Sequence, residues 1–259
     1  MFLSLLVYLC CGAVAGVLAG LLGVGGGIVI VPMLVAIFPG QGVPPEYVQQ
    51  MALGTSLASI MITSIASARA HNARGAVHWD IFRNITPGIL VVTFVGGLVA
   101  THMPTMFLKI FFICFLFVVS AQMLSNYRPP ASRDMPGALG TAGVGGVIGL
   151  VSSFVGIGGG TLSVPFMSFC NVPLHHAVGT SAAIGFPIAV AGTLGYIIGG
   201  WGRPDLPALS LGFVNLWALL GLAAAFWVIF DSPVLEITEE EINVRRRGEI
   251  ERVINRDKV

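Results

Sequence analysis

Charged residues are scarce in this sequence: Asp, Glu, Lys and Arg together make up 10% of 259 residues. Soluble globular domains contain roughly 25% of these residues. Hydrophobic residues make up 55% of the chain, and the mean hydropathy is +0.89. This composition excludes an ordinary water-soluble domain, and the apolar runs are long enough to lie in a bilayer. The sequence therefore predicts an all-α polytopic membrane protein.

The sequence also lacks an excess of charge and has few cysteines. The net charge is +1, so no strong field attracts nucleic acid. None of the four cysteines has metal-ligand spacing with a histidine or another cysteine, and we interpret all four as small buried hydrophobic residues. We predict no nucleic-acid partner, no metal site and no cofactor.

Acidic residues are missing from every apolar segment, because Glu46, Asp80, Asp134 and Asp205 all fall in predicted loops. Carboxylates inside a membrane are the usual relays for protons and sodium ions. Their absence argues against carboxylate-based coupling and is consistent with an anion pathway. The apolar segments also lack paired carboxylates and Ser/His or Cys/His constellations, so an intramembrane enzyme is a less favoured class.

Glycine, in contrast, is abundant, and one glycine pattern occurs twice. Residues 23–32 read GVGGGIVIVP, and residues 156–165 read GIGGGTLSVP. Glycine costs about 1 kcal/mol relative to alanine inside a helix, so three in succession should break it. The apolar segments that follow, 28–38 and 161–172, are too short to span a bilayer. Broken helices at corresponding places in two halves of a chain point to a transporter binding site.

The repeat extends further, since ALGTS at 52–56 returns as AVGTS at 177–181. About nine apolar segments are predicted, at 3–22, 28–38, 48–68, 85–101, 106–124, 138–157, 161–172, 176–199 and 206–230. The predicted organisation is a first membrane repeat at 1–124, a linker at 125–137, a second repeat at 138–230 and a polar tail at 231–259.

Arginines predict the orientation of the chain. They occur in the 69–84 loop, in the linker and in the tail, and the positive-inside rule places all three in the cytoplasm. If each apolar segment crosses once, five crossings in the first copy make the two repeats inverted. The C-terminus is then cytoplasmic, in a multi-pass protein of the cell (inner) membrane. Thr238 and Glu241 resemble a capping box, which predicts a short helix in the tail.

The G-V-G-G-G-x-x-x-V-P pattern paired with G-T-S, repeated once, is similar to the sulfite exporter TauE/SafE family of membrane permeases. Residues 53–58 and 69–80 are especially close, and the resemblance covers approximately residues 1–225. It implies transport of small sulfur-containing anions and organic acids, such as sulfite or sulfonates. The family normally completes its second repeat with a further helix, which residues 231–259 do not match.

Anion binding is predicted at the two glycine breaks and the two G-T-S motifs. A helix that starts directly after such a break presents unpaired N–H groups and the positive end of its dipole. Close helix packing is the alternative role for the glycines, and hydrogen bonds to a helix backbone are the alternative for the hydroxyls. The candidate substrate-binding residues are Gly25, Gly26, Gly27, Thr55, Ser56, Gly158, Gly159, Gly160, Thr161, Thr180 and Ser181.

Several further residues have predicted roles around this site. Arg69 and His71 are candidates for an anion vestibule, with anchoring at the membrane interface as the alternative for Arg69. Structural roles are predicted for Gly54 and Gly179 and for the two prolines, Pro32 and Pro165, which are expected to set the end or the bend of the short helices.

The favoured function is a secondary transporter that moves a small sulfur-containing anion by alternating access. A passive anion channel and a truncated, non-transporting form that lacks the final helix are the alternatives. The predicted partners are a small anion and the lipid bilayer. The sequence predicts no oligomeric state.

Overall fold

The computed structural model describes residues 7–16, 26–125, 134–207, 209–231, 234–237, 241–246 and 249–255, with side chains described up to residue 226. Within these ranges the chain forms nine α-helices, a 3-10 turn at Phe38–Gln41 and five short strands. The helices are α1 (Val7–Gly16), α2 (Gly27–Ile37), α3 (Val48–Ala73), α4 (Trp79–Ala100), α5 (Thr105–Leu124), α6 (Ala138–Val155), α7 (Gly160–Phe169), α8 (Leu174–Gly199) and α9 (Leu216–Asp231).

Five of these helices, α3, α4, α5, α6 and α8, are long and apolar enough to cross a membrane. The prediction of a polytopic membrane protein is therefore confirmed. The two 26-residue helices, α3 and α8, are the most enclosed of the five, whereas α5 turns large apolar side chains outward. Phe117 is 73% exposed and Met106 is 67% exposed, as expected for a helix face in contact with lipid.

The predicted apolar segment 206–230 is only partly helical. Helix α9 begins after a hairpin in which β1 (Ser210–Leu211) pairs antiparallel with β2 (Val214–Asn215). The side-chain carbonyl oxygen of Asn215 accepts the backbone N–H of Ala218 at 2.9 Å, an N-cap interaction that fixes the start of α9. Hydropathy alone does not locate this start, because several residues of the hairpin are also apolar.

The prediction of a helix in the tail is wrong. The tail forms a three-stranded antiparallel sheet of β3 (Val234–Ile237), β4 (Glu241–Arg246) and β5 (Glu249–Asn255) in the order β3-β4-β5. Glu241 begins β4 rather than a helix, and Thr238 lies outside the described residues. Apolar and polar residues alternate at the start of β4 (EINV), a period typical of a strand.

Glycines bring the central helices into close contact. A Cβ added to Gly88 on α4 would clash with the carbonyl oxygen of Ala142 on α6, and one at Gly195 on α8 would lie 2.7 Å from the carbonyl oxygen of Phe94. Small residues permit such approaches between helices in membranes, where lipid gives no hydrophobic driving force. Gly145 on α6 packs in the same way, because a Cβ there would clash with the carbonyl oxygen of Ile85 on α4.

Candidate functional site

A cavity of about 530 Å³ lies among residues of α1, α2, α3, α7, α8 and α9. Small residues of the two glycine breaks, hydroxyl-bearing residues of α3 and apolar side chains of the surrounding helices line it. Five of the predicted site residues are in this lining: Gly26, Gly158, Gly160, Ser181 and His71. In the part of the lining that the structure describes, no carboxylate, lysine or arginine occurs.

The second glycine break is a short irregular link between α6 and α7. Gly156 ends α6 with a φ of 71°, and Gly159 precedes α7 with a φ of 77°. Both values lie in the left-handed region, which glycine enters without the steric cost that a Cβ brings. Gly158 and Gly160, on either side of Gly159, line the cavity. The second predicted helix break is thus present, and its irregular backbone lies beside a cavity.

The first glycine break contacts the second. Helix α2 begins at Gly27 after Gly26, whereas Gly25 lies outside the described residues. A Cβ added to Gly27 would clash with the carbonyl oxygen of Gly156 and would lie 2.9 Å from the Cα of Ile157. Gly27 therefore serves close backbone packing, while Gly26 lines the cavity. The starts of α2 and α7 consequently lie at the same cavity.

Helix α3 contributes a row of polar residues, most of which were not among the predicted site residues. Ser59, Thr63, Ser67 and His71 recur every four residues, and all four line the cavity together with Ser64. Positions four apart lie on one helix face. The hydroxyls of Ser59 and Thr63 donate to the carbonyl oxygens three residues earlier, at 2.7 and 3.3 Å. The spacing of four residues is the sequence pattern from which this polar face could have been predicted.

Three of the four predicted G-T-S hydroxyls are not in the cavity lining. Their hydrogen bonds connect distant segments: Thr55 Oγ1 accepts the N–H of Asn215 at 3.0 Å, Ser56 Oγ donates to the carbonyl oxygen of Gly156 at 2.8 Å, and Thr180 Oγ1 accepts the N–H of His78 at 2.9 Å. These contacts match the alternative role for the hydroxyls, bonding to neighbouring backbone.

Ser181 is the member of the two G-T-S motifs that lines the cavity. It shares a hydrogen bond of 2.8 Å with Ser163 on α7, so that α7 and α8 are joined at the cavity wall. Thr161 is placed differently. Its hydroxyl oxygen is buried, has no hydrogen-bond partner among the described residues, and is not in the lining. Gly159 is also outside the lining, and a Cβ there would clash with the side chain of Ile188.

The predicted structural residues lie at close contacts and inside helices. A Cβ added to Gly54 would lie 2.6 Å from the carbonyl oxygen of Phe213, and one at Gly179 would lie 2.6 Å from that of Ala76. Pro32 and Pro165 are each the sixth residue of their helix. They lie within α2 and α7 and not at their ends, so of the two expected roles, helix end or bend, the bend remains a prediction. Each leaves the carbonyl four residues earlier without its helical donor.

The two vestibule candidates are in different settings. His71 is half-buried and lines the cavity, whereas Arg69 is exposed and is not in the lining. The counterpart of His71 in the second copy is Tyr196, which is fully buried and donates to the carbonyl oxygen of Ser153 at 2.9 Å. The polar face of α3 is also confined to one copy, since its counterparts in α8 are Ile184, Ile188 and Gly192.

Comparison with known proteins identifies one family and several related membrane proteins. The family model described as "Sulfite exporter TauE/SafE" matches residues 8–230. A "Probable membrane transporter protein" of Haemophilus influenzae is 37% identical over 225 residues, which are 86% of this chain and 85% of the relative. A probable membrane transporter protein of Methanocaldococcus jannaschii is 31% identical over 227 residues, covering 86% and 82%. No solved structure gives a significant match.

Proposed function

Because the chain belongs to the sulfite exporter TauE/SafE family, we propose that it is a secondary transporter for a small sulfur-containing anion such as sulfite or a sulfonate. The coarser conclusion, a multi-pass membrane transporter, follows from the family and from the five helices that can span a membrane. In the proposed mechanism the anion binds in the cavity between the two glycine breaks, which opens to one side of the membrane at a time.

The contact between the two glycine breaks beside one cavity carries this proposal. Gly26 and Gly160, at the starts of α2 and α7, both line the cavity. The first N–H groups of a helix have no acceptor within the helix, and the helix dipole is positive at that end. An anion at these two helix starts accepts backbone hydrogen bonds and gains favourable electrostatic energy without a lysine or arginine.

Hydroxyls of α3 and α8 supply the remaining donors. Ser59 and Thr63 now donate to backbone carbonyl oxygens of α3. A hydroxyl rotates freely about its C–O bond, so each can turn to donate to an anion oxygen instead. Ser181 on α8 can do the same while it accepts from Ser163. An oxyanion with several acceptor oxygens fits this set of donors.

Alternating access is proposed to arise from movement of one repeat against the other. The first repeat (1–124) and the second (138–230) are proposed to be inverted, with the 231–259 tail in the cytoplasm and the protein in the cell (inner) membrane. Two features support the repeat. Helices α3 and α8 are both 26 residues long, and each follows a short helix that starts at a glycine break.

The test is isotope flux in proteoliposomes that contain the purified full chain and are supplied with sulfite, methanesulfonate or sulfoacetate. We expect saturable uptake and counterflow of labelled anion against trapped unlabelled anion, because a carrier exchanges substrate across the membrane. Saturable flux with no counterflow would instead indicate a channel. Absence of flux above empty vesicles for every anion would contradict the proposed function.

A pair of glycine substitutions locates the site. A Cβ at Gly158 would meet only the Ile60 side chain at 3.2 Å and a Cα at 3.8 Å, so Gly158→Ala adds a methyl group at the cavity at small steric cost. We expect flux to fall about tenfold, equivalent to loss of about 1.4 kcal/mol of anion binding. Gly143→Ala is the matched control, since a Cβ there meets nothing within 4 Å. Equal flux in both variants would place the site elsewhere.

A further inference from the structure

His71 is the one titratable side chain among the described residues that line the cavity. It stands at the end of the polar face formed by Ser59, Thr63 and Ser67. The other walls present glycines, apolar side chains and Ser181. Residues 17–25, which follow the lining residue Gly16, include no titratable residue. Among the described residues, an anion in this cavity therefore meets one group that can change its charge.

On α3 itself, which carries His71, the other charged or titratable residue is Arg69. Arg74, just beyond the end of α3, is exposed. Arg69, on the same helix, is exposed. On the other elements around the cavity, the described titratable side chains are Tyr8, Cys10 and Cys11 on α1, Cys170 after α7, and His175, His176 and Tyr196 on α8, and none of them lines it.

We propose that His71 takes up the proton that accompanies each anion, which makes the carrier an anion–proton symporter. This proposal rests on the proposed transport function and adds the identity of the coupling ion. On one side of the membrane a ring nitrogen of neutral His71 accepts a proton from water, and the imidazolium balances the charge of the anion. On the other side the anion leaves and the proton returns to water. Uptake breaks an O–H bond of hydronium and forms an N–H bond on the imidazole, and release reverses both.

Electrostatics links the two binding events. A bound anion near His71 favours the positively charged imidazolium through Coulomb attraction. The anion therefore promotes protonation, and protonation promotes anion binding by the same factor. The counterpart Tyr196 is buried and bonded to the backbone, so the second copy supplies no equivalent group. Because one such group is present, we expect one proton to be transported with each anion.

The experiment measures accumulation of the sulfonate that gives the highest flux in the panel, methanesulfonate or sulfoacetate, against a pH gradient. Potassium and valinomycin hold the membrane potential at zero. For one proton per anion, the wild-type protein is expected to accumulate the anion about tenfold per pH unit toward the alkaline side. His71→Gln is expected to give counterflow but no accumulation. His102→Gln, an exposed histidine outside the cavity, is the matched control and should accumulate like wild type.

A second measurement does not depend on transport. Addition of the same sulfonate to the purified protein in weak buffer should cause proton uptake by the wild type and by His102→Gln, and none by His71→Gln. Accumulation by His71→Gln at the wild-type level, or a wild-type flux that ignores the pH gradient, would overturn the proposal and leave the proposed function intact. Absence of any anion flux in the wild type would overturn both.

Discussion

Ser56 on α3 donates a hydrogen bond of 2.8 Å to the carbonyl oxygen of Gly156, the C-cap residue of α6. The same carbonyl lies against Gly27 at the start of α2. A single buried carbonyl group thus joins the G-T-S motif of the first copy, the first glycine break and the second glycine break. The relative position of the two helix starts at the cavity depends on this junction.

Replacement of Ser56 by alanine should destabilise the protein without a direct effect on the lining of the cavity. The carbonyl of Gly156 would lose this side-chain donor in a buried environment, at a cost of about 1–3 kcal/mol. Thermal unfolding in detergent, followed by tryptophan fluorescence, measures the effect. Ser67→Ala is the control, because Ser67 is exposed to the cavity and its substitution should leave the unfolding temperature unchanged. Equal unfolding temperatures for the two variants would contradict the role of Ser56.

Gly27→Ala should be more damaging than an alanine at an open position. The new Cβ would clash with backbone atoms of Gly156, and backbone cannot move aside as a flexible side chain can. Overpacking of this kind costs about 1–3 kcal/mol or more. Gly143→Ala, at which the added Cβ meets nothing, should be at least as stable as wild type. A Gly27→Ala protein of wild-type stability would show that the two breaks are not in contact.

Substitution of the hydroxyls on the polar face of α3 should change affinity more than stability. Thr63→Val and Ser67→Ala each remove one proposed donor to the anion, worth about 0.5–1.5 kcal/mol, or about two- to twelvefold in KM. Initial rates in proteoliposomes over a range of anion concentrations give this value. Ser125→Ala, an exposed serine outside the cavity, is the comparison and should keep the wild-type KM. An unchanged KM in both α3 variants would exclude this face from the site.

Thr161→Val should raise stability and leave transport unchanged. The hydroxyl of Thr161 is buried without a partner among the described residues, and an unpaired buried hydroxyl costs about 1–3 kcal/mol. Valine has nearly the same shape and removes that cost. Unfolding temperature and anion flux are measured on the same preparation. A loss of flux with unchanged folding would instead show that Thr161 contributes to anion binding, as the sequence pattern predicts.

The glycine pattern predicts the position of the cavity well, for a clear physical reason. Three successive glycines are costly in any helix, so their presence in both copies marks irregular backbone, and irregular backbone in a membrane needs a cavity or protein around it. The pattern does not distinguish Ser181 from Thr55, Ser56 and Thr180. Which hydroxyl lines the cavity depends on helix rotation and on partners distant in sequence, such as Asn215.

The repeat also cannot predict functional residues that occur in one copy alone. Ser59, Thr63 and Ser67 have Ile184, Ile188 and Gly192 at the corresponding positions, so the repeat gives no sign of them. Their spacing of four residues does indicate a polar face, because it places the three side chains on one side of the helix. Apolar composition likewise left open where α9 starts, since the Asn215 cap sets that point through a hydrogen bond.

The confinement of the polar face to α3 has a consequence for the kinetics of the proposed cycle. Two chemically equivalent halves would make the outward-open and inward-open forms equal in energy, and the empty protein would occupy both equally. With serine and threonine on one half and isoleucine on the other, the two forms hydrate different surfaces and so differ in free energy. The unloaded protein should then rest mainly in one of them, with unequal apparent affinities on its two sides.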